Sequence, residues 1–310
     1  MRAHRSLASL LLVLALGCGD DDAPGPLPDS GTPDAAPPDA AAPDASTQDA
    51  GPVVEDAGTE PDAGPGTSGG SGGLTCERTG TAGGFEYCVV TIAGVELKVV
   101  EPTAPAPWDL GIYFHGDGAR AYDGDTAVRL QAPVTEARPI LYVAAKAPNG
   151  CAWWLSPDYT RCDGVVADGD MDTEGRNADA VVEVIEALRA VYDLRTDRTL
   201  FGGSSGGAVF LTGEHLPLYG ADHPGLYALG CGGFEPYADF AWDPTAGSLD
   251  AYDLRFTYGD ADEYRDEIEA GVEAYQLLGF PVDENVLTGG VEHCAFDHIG
   301  FVVDAWASAG

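Results

Sequence analysis

The stretch Thr199-Leu200-Phe201-Gly202-Gly203-Ser204-Ser205-Gly206-Gly207-Ala208-Val209-Phe210 restricts the fold of this chain more than any other segment. A β-like run meets a helix-like run across four glycines and two serines. Strand and helix approach so closely at such a turn that side chains cannot be accommodated at the flanking positions. The helix that follows points free N–H groups and the positive end of its dipole at the same spot. That layout is a nucleophile elbow, and it needs a sheet on which to sit.

The rest of the chain supplies one. Tyr87 to Ile92 and Val95 to Val100 flank Ala93-Gly94 and predict an antiparallel hairpin. Further strands are predicted over Leu110 to Phe114, Ile140 to Ala144, Thr199 to Phe201, Leu226 to Leu229, Leu254 to Tyr258 and Asn285 to Thr288. Between them Arg176 to Tyr192, Gly206 to Glu214, Tyr264 to Leu278 and Phe296 to Trp306 carry apolar residues at helical spacing. This alternation predicts an α/β fold with a mostly parallel central sheet and helices on both faces. Ligands of such sheets bind at the carboxyl ends of the strands.

The first 73 residues read differently. Arg2 and Arg5 precede the apolar run Leu7 to Leu16, too short for a spanning helix, which ends at Gly17-Cys18. Ala15-Leu16-Gly17-Cys18 resembles a bacterial lipobox, so residues 1–18 are expected to be an export signal with Cys18 as the lipidation site; plain secretion is the alternative. Residues 19–73 are mostly Pro, Asp, Ala, Gly, Ser and Thr and hold too little apolar surface to offset ordering entropy. An acidic tether is predicted there, most flexible in its final Gly/Ser run, with one globular domain over 74–310. The pattern G-x-S-x-G also surrounds Ser68 and Ser71, but no strand precedes them and no helix follows.

A net charge of −36 over 310 residues argues against nucleic-acid binding by a basic patch. Beyond Cys18 the cysteines are Cys76, Cys88, Cys151, Cys162, Cys231 and Cys294, an even set that in an exported chain reads as disulfides. Proximity in sequence pairs Cys76 with Cys88 and Cys151 with Cys162, leaving Cys231 for Cys294. Their spacing does not match a zinc site. Asp168-Gly169-Asp170-Met171-Asp172 alternates carboxylates as a calcium loop does, yet Thr173 stands where such a loop has glycine. A solvated loop is the reading taken, with no metal and no cofactor.

A serine nucleophile requires a base, and the base an orienting acid. Ser204 has Gly202 and Gly206 at the elbow offsets and is favoured; Ser205, between Gly203 and Gly207, is its rival. His293 and His298 follow the last strand, and His293, in the loop before the final helix, is the favoured base. Asp260 and Asp262 stand between a strand and a helix, where either could accept the imidazole N–H. Oxyanion donors are expected from the N–H of Ser205 and from the loop after Leu110 to Phe114, at Gly116 and Asp117, with His115 supporting that loop.

Gly202 to Gly207, the preceding Asn177-Ala178-Asp179-Ala180-Val181-Val182-Glu183-Val184-Ile185 and the segment Tyr192 to Arg198 together resemble the secreted polyhydroxybutyrate depolymerase and feruloyl esterase branch of the α/β-hydrolases. The His115-Gly116 loop and Gly259-x-x-Asp262 are similar to its oxyanion and acid motifs. The resemblance spans most of residues 85–307 and implies an α/β-hydrolase fold with Ser204 as nucleophile, Asp262 as acid and His293 as base. It implies a serine esterase acting on small or polymeric esters outside the cytoplasm. A monomer is expected, in membrane contact only through a lipid on Cys18, the site that the lipobox-like run marks. A peptidase on the same fold and a non-catalytic binding lipoprotein are the competing readings.

Overall fold

The computed structural model describes residues 66–162, 164–167 and 169–309. The export signal, Cys18, residues 19–65 of the expected tether and Asp168 lie outside the described residues.

Continuous apolar runs became the inner strands. β1 (Arg78–Ala82), β2 (Phe85–Ile92) and β3 (Val95–Val100) form an antiparallel meander, and β3 joins β5 (Ile140–Lys146) antiparallel. From β5 onward the pairing is parallel, through β4 (Trp108–Phe114), β6 (Leu194–Ser204), β7 (Gly225–Gly230), β8 (Asp253–Gly259) and β9 (Val282–Leu287). The order across the sheet is β1-β2-β3-β5-β4-β6-β7-β8-β9. Every residue of β7, and all but the first of β4, is buried, as strands covered on both faces require.

Side chains alternate across the sheet into two cores. Leu110, Ile112, Phe114, Leu141 and Val143 face α4 (Arg176–Val191), α5 (Gly206–Phe210) and α7 (Arg265–Leu278). Tyr113, Ile140, Tyr142 and Leu200 face the other way, onto α1 (Arg120–Asp123), α2 (Thr126–Gln131), α3 (Val134–Ala137) and α8 (His298–Ser308). α5 runs on through a π-helical turn, Leu211–His215, into α6 (Leu216–Tyr219). The α/β-hydrolase fold expected of the sequence is the fold observed.

Two differences are local. β1 and the helices α1 to α3 were not foreseen: β1 is Arg-Thr-Gly-Thr-Ala, and helices of four to six residues are too short to display a period. The Gly/Ser run 66–73, expected as the loosest part of the tether, lies along the start of β6. Ser68 N–H donates to the Leu194 carbonyl (2.8 Å), Thr196 N–H to that of Gly66 (2.9 Å) and Gly72 N–H to that of Val191 (2.9 Å). A Cβ on Gly70 would come within 2.6 Å of the Tyr192 backbone. Linker-like composition here serves close backbone approach.

The structure joins Cys76 to Cys88, Cys151 to Cys162 and Cys231 to Cys294, with Cα atoms 5.2, 5.2 and 5.1 Å apart. Among the described residues no helix is long and apolar enough to cross a membrane.

Candidate active site

β6 stays in the sheet as far as Ser204, which pairs with Gly230 of β7. The next residue, Ser205, takes φ 48° and ψ −120°, a conformation that side chains rarely adopt. Its N–H donates to the Gly230 carbonyl (2.9 Å), and its own carbonyl accepts from Ala208 and Val209 N–H as α5 begins. A Cβ on Gly203 would lie 2.7 Å from the Ala208 nitrogen, and one on Gly207 would strike the Phe114 carbonyl. The glycines that make the turn possible are therefore Gly203 and Gly207, and the residue at its apex is Ser205.

From that apex a hydrogen-bonded chain runs inward. Ser205 Oγ lies 3.0 Å from His293 Nε2, and His293 Nδ1 lies 3.0 Å from both carboxylate oxygens of Asp262. A carboxylate only accepts, so Nδ1 carries the proton, leaving Nε2 to accept from the Ser205 hydroxyl. The Asp262 side chain is wholly buried, and its Oδ1 also accepts from Tyr264 N–H (3.0 Å). Tyr264 sets its ring edge-on to the His293 imidazole, centroids 4.9 Å apart.

The expectation for Ser204 is corrected by this geometry. Ser204 is 2 % exposed, and its Oγ accepts from the Tyr113 hydroxyl (3.0 Å), away from His293. Being still in the strand, it presents its side chain to the face opposite its neighbours', among the residues under α8. Burial pushes the Tyr113 phenol up to about 12, which keeps it a donor. The expected oxyanion donor at Ser205 is corrected with it, because that N–H is spent on Gly230. The N–H at the equivalent place is now that of Gly206, the first helical residue, which has no intrahelical acceptor.

The other expected residues lie around this chain, not all of them in it. Gly116 lies against the turn, where a Cβ would be 3.1 Å from the Ser204 carbonyl oxygen and 3.3 Å from Ser205 Cβ. His115, fully buried, holds its loop: its Nδ1 is 2.7 Å from the Gly116 carbonyl, and its Nε2 accepts from Ala147 N–H. Burial lowers its pKa to about 4, so it stays neutral. Asp260 is not at the imidazole; its carboxylate accepts from the N–H groups of Gly289, Gly290 and Val291 (2.9, 2.8 and 2.9 Å), which hold its pKa below the usual range. His298 begins α8 with Nδ1 near the Cys294 and Phe296 carbonyls, and burial lowers its pKa. The Cys231–Cys294 bridge ties the end of β7 to the His293 loop and brings Cys294 Sγ to 3.6 Å from His293 Nε2.

Asp117 enters the site by its side chain, a role its sequence position did not announce. Its carboxylate accepts from Trp154 Nε1 (3.1 and 3.2 Å) and lies over Gly206, where a Cβ would strike it. Desolvation of the carboxylate, packed over Gly206 and against Trp154, raises its pKa to about 6, against the opposing pull of the Trp154 hydrogen bond and of His293. Trp153 instead packs on Phe114 and Phe210, in the core.

Among the described residues two groups of ligand-type atoms lie within 4.8 Å of one another: Cys231, His293 and Cys294, and Asp262, Glu263 and His293. In the first the sulfurs are bonded to each other; in the second Asp262 and His293 already share a hydrogen bond. In the acidic loop, Asp170 accepts from Ala167 N–H and pairs with Arg161, while Asp172 accepts from Asn177 N–H at the start of α4. These carboxylates are turned to separate partners.

No family model matches the chain. No curated protein matches it in sequence. Among solved structures it is similar to a carboxylesterase from Mesorhizobium loti, at 19% identity over 72% of this chain and 99% of that one, TM-score 0.49. It is also similar to a cold-adapted esterase from an Arctic intertidal metagenomic library (16%, 75% and 97%, 0.49) and to an α/β serine hydrolase without lid from Xanthomonas campestris (18%, 72% and 96%, 0.44). At such identities a shared course of the backbone is the extent of the likeness.

Proposed function

We propose that this chain is a serine hydrolase of carboxylic esters that works outside the cytoplasm. The observation that carries the reading is Ser205 at the strained turn with its Oγ 3.0 Å from His293 Nε2. In the proposed reaction Ser205 Oγ attacks the ester carbonyl as Nε2 takes its proton, and Asp262 stabilises the imidazolium without taking a proton itself. The tetrahedral oxyanion forms beside the Gly206 N–H and the backbone of the Gly116-Asp117 loop. His293 then protonates the leaving alcohol, and water, activated by the same nitrogen, releases the acyl group from Ser205.

The resemblance to polyhydroxybutyrate depolymerases and feruloyl esterases favours polyester or aryl ester substrates. Three disulfides and the lipobox-like run ending at Cys18 favour export with a lipid anchor. Hydrolysis of short-chain nitrophenyl esters, aryl esters and hydroxyalkanoate oligomers by the purified domain tests the reading. Turnover of at least one class, abolished in Ser205→Ala, is expected; a protein inert to all three and to fluorophosphonate contradicts it.

A further inference from the structure

We infer that the esters preferred by this site carry a positive charge within a few bonds of the scissile carbonyl, and that Asp117 is the residue that selects them. The inference rests on the hydrolase reading above and adds the class of substrate.

Asp117 occupies a place where a carboxylate is costly to the proposed reaction. It overlies Gly206, whose N–H faces the developing oxyanion, and it sits in the very loop whose backbone flanks Ser205. An ionised carboxylate there repels the negative charge of the tetrahedral intermediate unless a cation is brought in with the substrate. Trp154 Nε1 is the one hydrogen-bond donor to Asp117 among the described residues, which leaves lone pairs on both oxygens. The residue as a whole is exposed.

The surroundings carry the same sign. The Glu263 carboxylate lies within 4.8 Å of the Asp262 and His293 ligand atoms, and Asp260 closes the loop behind them. Arg265, the basic residue of this cluster, is turned to Glu269 and to the Asp260 carbonyl. A chain of net charge −36 concentrates cations at its surface and repels anions.

The test compares a trimethylammonioethyl ester with its dimethylbutyl isostere, in which carbon replaces nitrogen, and a matching pair with the charge on the acyl side. In at least one pair the cationic ester is expected to have a kcat/KM at least about tenfold higher at about pH 8. That ratio should fall as pH drops through about 6, where Asp117 takes up its proton. The other groups facing the carboxyl are Trp154, His293 and Tyr264, which both esters of a pair meet alike. Asp117→Asn, which keeps an oxygen for Trp154, should bring the ratio to about one, and the pH dependence of the wild-type ratio gives the same information should that variant not fold. A wild-type ratio of one or less in both pairs, or one unchanged in Asp117→Asn, overturns the inference. Fluorophosphonate labelling of Ser205 without hydrolysis of any of the four esters overturns it while leaving the hydrolase reading; absence of both labelling and hydrolysis removes the two together.

Discussion

Holding Ser205 at φ 48° and ψ −120° costs on the order of 1–3 kcal/mol, which the packed strand and helix on either side must supply. Ser205→Gly is therefore expected to raise thermal stability, by about 1 kcal/mol, while removing activity; a melting temperature below that of the wild type would contradict the strain. Ser204→Ala should do the reverse. It leaves the buried Tyr113 hydroxyl without its acceptor, at about 1–3 kcal/mol, and should still react with a fluorophosphonate. Asp262→Asn, which spoils the tautomer of His293, is expected to lower kcat by about four orders of magnitude with little change in fold, as read by circular dichroism. That His293 and Asp262 lie together beside the turn was legible in the chain, since strand, loop and helix order left few places for a histidine and an acid. The serine was not: both Ser204 and Ser205 satisfy the glycine pattern, and the choice depends on whether β6 ends one residue sooner or later. Ser204 pairs with Gly230, 26 positions away on another strand, so β6 runs through Ser204 and the turn falls at Ser205.

Among the elements, the loop between β9 and α8 places His293, the proposed base, and it is held at two points. Asp260 grips its first half through three backbone N–H groups, and the Cys231–Cys294 bridge fixes its second half. Replacing both cysteines by serine frees a loop closed over 63 residues and is expected to cost about 4 kcal/mol of stability, measurable by denaturant unfolding. Activity should fall further than stability at temperatures where the variant is still folded, because a base misplaced by an ångström loses much of its effect. Asp260→Ala should lower kcat with little change in KM, and its melting temperature should move far less than that of the cysteine variant. The inner strands were foreseen because burial on both faces writes a continuous apolar run. β1 and the short helices α1 to α3 were not, because their conformation is imposed by the neighbours they pack on, and the Gly66–Gly73 run was misjudged because glycine marks close contact as readily as freedom.

Over the whole molecule, stability should depend on pH through a few buried groups. Glu214, in the π-helical turn, accepts from Ala178 N–H and the Tyr237 hydroxyl, and burial, with the Asp172 charge nearby, raises its pKa to about 8. The folded protein thus holds a proton that the unfolded chain releases near 4.5, so its contribution is fully present below that pH and drains away as pH rises to about 8. His115 and His223 act in the opposite sense: burial lowers both to about 4, and stability is lost as pH falls from 6.5 toward that value. Between pH 6.5 and 8 the melting temperature should therefore decline, and Glu214→Gln should flatten the decline. A wild-type profile flat over that interval would show that Glu214 is ionised throughout.

The geometry of the whole assembly converges on one hydroxyl, and a single mapping experiment addresses it. After reaction of the intact domain with a fluorophosphonate, proteolysis and fragmentation mass spectrometry should locate the phosphonyl group on Ser205, with none on Ser204 and none in Ser205→Ala. A label on Ser204, or on neither serine of the turn, would contradict the account.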